Sequence, residues 1–151
     1  MKVLVFLLLL IPLHTFGLTC EVGGKVNDEI TENDLLVNAT DILFGVIESG
    51  SFNNTEPRYT FRLRVYDVLK GNEAEHFDFS YLSYWTPDDI IIGESYILAF
   101  YGDNRLTFCG YRLRLFQHLN KLSQLHELSE NKDFEDHEKL SRLLEYIKYA
   151  L

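Results

Sequence analysis

The sequence predicts a mainly β domain: a small antiparallel barrel of five strands, with a short helix before it and two amphipathic helices after it. Three observations carry this. Tyr59, Phe61, Leu63 and Val65 alternate with Thr60, Arg62, Arg64 and Tyr66, the period of two that a half-buried strand requires. Five short runs rich in β-branched and aromatic residues are separated by turn signals, the pattern of a small barrel. Near the C-terminus, Leu119, Leu122, Leu125 and Leu128, then Leu140, Leu143, Leu144, Ile147 and Leu151, recur at helical spacing.

In chain order, Lys2, the apolar run Val3 to Leu13 and then Thr15, Phe16 and Gly17 read as a secretory signal peptide, residues 1–17, cleaved after Gly17. The run is short of the ~20 residues that cross a bilayer, so an uncleaved anchor is the weaker reading, and no later segment predicts a membrane span. Gly23 and Gly24 through Asn27 and Asp28 read as loop. Thr31 with Asp34 three residues on is a helix N-cap pattern, which predicts a helix over 32–38. The first strand begins at Asp41 and runs through Ile47, bounded by a loop with Gly50, Ser51, Asn53 and Asn54. The second runs from Tyr59 to Lys70, and a slip of apolar phase before Val68 predicts a β-bulge. His76 to Leu82 is the third strand and Tyr96 to Tyr101 the fourth. The turn Gly102-Asp103-Asn104 predicts a hairpin into a fifth, Leu106 to Cys109. With no internal repeat or linker, the expectation is one domain over 18–116 and a helical extension over 117–151 packed on it.

Net charge at pH 7 is −9, and loss of Lys2 with the signal makes the remainder one unit more acidic, so nucleic acid is excluded as a natural partner. Cys20 and Cys109, the two cysteines, are expected to form a disulfide once exported; a redox pair would need closer spacing. His76, His118, His126 and His137 show no metal-ligand spacing, since His126 is followed by Glu130 where a zinc-protease helix needs a second histidine. No serine sits in a nucleophile elbow, the acids Asp88, Asp89, Glu135, Asp136 and Glu138 read as solvated, and no phosphate loop opens at Gly23 and Gly24. The chain is therefore expected to be no enzyme and to use no metal or cofactor. Tyr84, Trp85 and Tyr101, at or near strand ends, are the candidate loop binding surface for a protein or glycan. Asn38 and Asn53 begin Asn-x-Thr acceptors, usable if the host glycosylates.

Several stretches together resemble one family. They are Ala39-Thr40-Asp41-Ile42-Leu43-Phe44-Gly45-Val46, Tyr59-Thr60-Phe61, Val65-Tyr66-Asp67-Val68-Leu69-Lys70-Gly71, Gly93-Glu94-Ser95-Tyr96-Ile97-Leu98-Ala99-Phe100 and Leu106-Thr107-Phe108-Cys109-Gly110, following a cysteine that closely trails a signal. From Cys20 to Gly110 the chain is similar to the netrin-like domain of the tissue inhibitors of metalloproteinases (TIMPs), and more closely to small exported bacterial relatives of that domain. The signal peptide implies a secreted or periplasmic protein. The resemblance implies an OB-fold-like barrel. It also implies two functions: an exported, non-enzymatic module that binds a protein or glycan, or a metalloprotease inhibitor working through an edge at Cys20, Glu21 and Val22. Such inhibitors offer the free amine and carbonyl of an N-terminal cysteine to the protease zinc. They begin Cys-x-Cys, whereas this chain has Cys20-Glu21-Val22, and Cys109 matches the partner of the family's second N-terminal cysteine. Cleavage after Thr19 would expose the Cys20 amine; Gly17 is the better cleavage position, and Gly17-Leu18-Thr19 is a poor lipoprotein signal.

Overall fold

The computed structural model describes residues 20–72, 74–82, 90–107, 109–116 and 119–150. Residues 1–19, which include the expected signal, and Tyr84, Trp85, Asp88, Asp89, Phe108, His118 and Leu151 lie outside them.

Two short strands open the described chain, β1 (Glu21–Val22) and β2 (Lys25–Val26). Their turn is Gly23-Gly24, with φ of 59° and 79°, a left-handed pair that side chains resist and two-residue hairpins need. This segment was expected to be loop. Two-residue strands are too short to show a period, and only the Gly-Gly pair signalled them. A 3-10 turn at Asn27–Glu29 leads to α1 (Glu32–Asn38), which starts where predicted. The Thr31 hydroxyl accepts the Asp34 N–H at 3.2 Å and the Asp34 carboxylate accepts the Thr31 N–H at 2.8 Å, so each satisfies an amide that the first helical turn leaves without a partner.

The main sheet comprises β3 (Asp41–Asn53), β4 (Arg58–Lys70), β5 (His76–Leu82), β6 (Ser95–Phe100) and β7 (Arg112–Arg114), antiparallel in the order β5-β4-β3-β6-β7. Strand outweighs helix, and the molecule is mainly β. The sheet is not a closed barrel. Its end strands β5 and β7 do not pair; instead Asn104–Leu106 passes β5 in a single parallel bridge, with the Ser80 N–H donating to the Asn104 carbonyl at 2.8 Å and the Leu106 N–H to the Ser80 carbonyl at 2.9 Å.

Three strand expectations are corrected. β3 continues through Gly50, Ser51 and Asn53, read as loop, because Phe61, Thr60 and Arg58 of β4 pair with them across the hairpin. The fourth strand stops at Phe100, ahead of Tyr101. The fifth ladder strand is Arg112–Arg114 rather than Leu106 to Cys109. Leu113 alone points into the core there between two arginines, and one apolar residue carries no period.

The predicted bulge is present. Between Gly45↔Val65 and Phe44↔Asp67, Tyr66 is extra on β4; Leu69 is extra between Leu43↔Val68 and Ile42↔Lys70. Gly45 is required beside it, since a Cβ there would fall on the Arg64 carbonyl.

Every residue of β6 is buried, because both faces of the sheet are covered. One face packs Ile42, Phe44, Ile97 and Leu113 against Leu36 of α1, Leu125 and Leu128 of α2 (Leu122–Glu130) and Leu140, Leu143 and Leu144 of α3 (His137–Ala150). The other face curls over its own side chains, Leu43, Ile47, Leu63, Phe79, Tyr96, Leu98 and Phe100, with Leu106 at the gap. α2 carries the predicted Leu125 and Leu128 on its buried face with Leu122 left exposed, and α3 carries Leu140, Leu143, Leu144 and Ile147; Leu119 is buried just ahead of α2, its N–H and carbonyl each bonded to the buried Ser95 hydroxyl at 3.1 Å. No helix among the described residues is long and apolar enough to cross a membrane.

Candidate functional site: the Cys20–Cys109 cleft

Cys20 and Cys109 are disulfide-bonded across a sequence separation of 89, with Cα atoms 5.8 Å apart. The bond ties the β1–β2 hairpin to the segment between β6 and β7. A second tie runs to α1: the Lys25 ammonium meets the Asp34 carboxylate at 2.8 Å. That ammonium, then the Thr31 hydroxyl and N–H, holds the Asp34 carboxyl down at about 2. Gly23 lies against the Asn38 amide, whose Nδ2 donates to the Asp34 carbonyl at 2.8 Å.

On the opposite side, the Tyr101 phenol oxygen accepts the Tyr111 N–H at 3.0 Å, and burial pushes its hydroxyl pKa up. Thr40 holds the turn that follows β6, its hydroxyl accepting the Gly102 N–H at 3.0 Å and bonding the Phe100 carbonyl at 3.1 Å. Thr40 also completes the Asn38 acceptor pattern, and its place in the fold accounts for the residue.

Between these walls is a surface cleft of about 520 Å³. It is lined by Cys20, Glu21, Val22 and Gly23, by Asn38 of α1, and by Tyr101, Thr107 and Cys109. The structure therefore brings together six positions singled out in the sequence for separate reasons: the disulfide, the Glu21-Val22 edge, Tyr101 and Asn38. Thr107 was missed, and only its place beside Cys109 could have suggested it. Asn53 stands apart, at the tip of the β3–β4 hairpin, where its Oδ1 accepts the Thr55 N–H at 2.9 Å.

The cleft offers a carboxylate, an amide, a hydroxyl and an aromatic ring around a disulfide. These groups can orient a peptide side chain or sugar hydroxyls against a ring. The described histidines are elsewhere: His76 meets Glu48 at 3.3 Å, His137 Nδ1 lies 3.0 Å from the Phe134 carbonyl, and His126 is exposed on α2. Glu138 faces Arg142 at 3.7 Å on the surface of α3. Among the described residues, no group of three or more His, Cys, Asp or Glu is placed to hold a metal ion.

Compared with models of known protein families and with characterised proteins, the chain matches none.

Proposed function

We propose that this chain is an exported, non-enzymatic binding module that captures a protein or glycan in the Cys20–Cys109 cleft, on an OB-fold-like domain of netrin or TIMP type. The observation that carries the reading is the convergence of Glu21, Asn38, Tyr101 and Thr107 on one cleft whose walls are locked by a disulfide. Rigid walls lower the ordering cost of binding, and a disulfide persists in the compartment that an exported chain enters. Selection of peptides and glycans on the mature chain, followed by retesting on Thr107→Tyr, checks this. Ligands that lose affinity when the cleft is filled support it; ligands indifferent to the substitution overturn it.

One observation favours a second reading. Cys20, Glu21 and Val22 form the cleft rim and are clamped by the disulfide and the Gly23-Gly24 turn, as a zinc-chelating inhibitory edge would need. Intact mass and terminal sequencing of the chain exported from its full precursor separate the two. A Leu18 start sinks the inhibitor mechanism, which needs the Cys20 amine; a Cys20 start with a free amine supports it, and metalloprotease inhibition is then the assay.

A further inference from the structure

We propose that the groove between α2 and α3 is an interface between two copies of this chain, in which the two helical hairpins pack face to face about a two-fold axis.

The first sign is a leucine that the fold does not use. Leu122 continues the spacing of Leu119, Leu125 and Leu128, yet it is 38% exposed while the other three are buried. Of the large hydrophobic side chains exposed on the described surface, α2 and α3 contribute two, Leu122 and Tyr149, the latter 74% exposed. They come from different helices and line one groove of about 490 Å³, together with the better buried Leu144 and Ile147.

Covering this groove strands no hydroxyl. Ser129 and Ser141 also line it, and both are already served: the Ser129 hydroxyl donates to the His126 carbonyl at 2.7 Å and the Ser141 hydroxyl to the Ser129 carbonyl at 3.1 Å. An apolar side chain laid over them therefore gains burial without leaving a donor unpaired.

The charges of the lining select the occupant. Glu145 and Lys148 are its acid and its base, with His126 the other titratable group. Neither forms an ion pair among the described residues; the Lys148 ammonium lies 5.3 Å from the centre of the Tyr149 ring. The two stand one turn apart on α3, so two α3 helices that cross antiparallel about an axis between these residues set Glu145 of each copy opposite Lys148 of the other. A second copy thus supplies both matching charges by symmetry. In α3 as a whole, Lys139, Arg142 and Lys148 outnumber Glu138 and Glu145, so copies of a chain at −9 approach along an element that does not add to their repulsion.

The test is sedimentation of the mature chain over a range of concentrations, with four variants. The wild type should dimerise as concentration rises. Glu145→Lys and Lys148→Glu each place like charges across the axis and should weaken the dimer roughly fivefold to thirtyfold. Glu145→Lys/Lys148→Glu restores the pairs with their signs exchanged and should dimerise about as the wild type does. Leu122→Gln should also weaken the dimer, while the urea midpoint of the dilute monomer stays where it was. All four changes are at exposed helix positions, and unchanged circular dichroism checks that the fold is kept. A chain that stays monomeric at the highest concentration overturns the proposal and leaves the groove to a different partner. A dimer indifferent to Leu122→Gln, or a double variant no better than the single ones, overturns it as well.

Discussion

At the scale of single residues, Asp34 does most to join the candidate site to the fold. Its carboxylate accepts the Thr31 N–H in the capping box of α1, it receives Lys25 from the β1–β2 hairpin, and it offers its carbonyl to Asn38. Its folded pKa, about 2, is below the ~3.9 of an unfolded aspartate, so its stabilising contribution is present in full above the unfolded value and is lost as pH falls toward the folded one. Denaturant midpoints of the wild type and Asp34→Asn, followed from neutral pH downward, should therefore differ most above about pH 5 and converge toward pH 2. Curves that stay parallel would show that the carboxylate is not what the hairpin leans on. The Thr31 and Asp34 pair was legible from sequence because capping is a local interaction, closed within three residues. Lys25 was not, because nothing in the chain announces that a β-turn will fold its ammonium onto a helix start.

At the scale of elements, the strands with a solvent face were legible and the short ones were not. β4 and β5 alternate over seven residues or more, and their bounds match the sequence reading to within one residue. β7 holds three residues and β1 and β2 two each, below the length at which a period can be seen. The C-terminal helices show the reverse case, since leucines at three- and four-residue spacing signal a helix; in α3 they also mark the face it buries, whereas in α2 Leu125 and Leu128 are buried and Leu122 is exposed. Leu143, fully buried where α3 meets the sheet, measures that packing. Leu143→Ala should lower unfolding stability by about 2 to 5 kcal/mol, the range for a large-to-small change in a close-packed core, read as a shift in urea midpoint with little change in slope. A shift near zero would mean that α3 is not part of the cooperative core.

At the scale of the whole molecule, the disulfide is a covalent tie across most of the sheet's sequence, and both of its cysteines line the cleft. For a separation of 89 residues the chain-entropy model gives about 4 to 5 kcal/mol, a large part of a domain's usual stability. Replacing the pair, Cys20→Ser with Cys109→Ser, should lower the thermal midpoint strongly and release the β1–β2 hairpin, seen as faster hydrogen exchange at Glu21 to Val26 while the sheet core stays protected. Unchanged exchange there would show that Lys25–Asp34 and the Gly23-Asn38 contact hold the hairpin without the bond. The residues alone determined the β-rich class, the helix cap, the bulge, the helical tail and the expectation that the two cysteines pair, because each is written in local spacing or in composition. What only the tertiary structure decided is that the sheet stays open, that β7 rather than Leu106 to Cys109 lies beside β6, and that Glu21, Asn38, Tyr101 and Thr107 meet in one cleft. Those outcomes depend on which distant segments compete for the same sheet edge and the same buried face, and that competition is settled by packing across the whole chain rather than by any window of it.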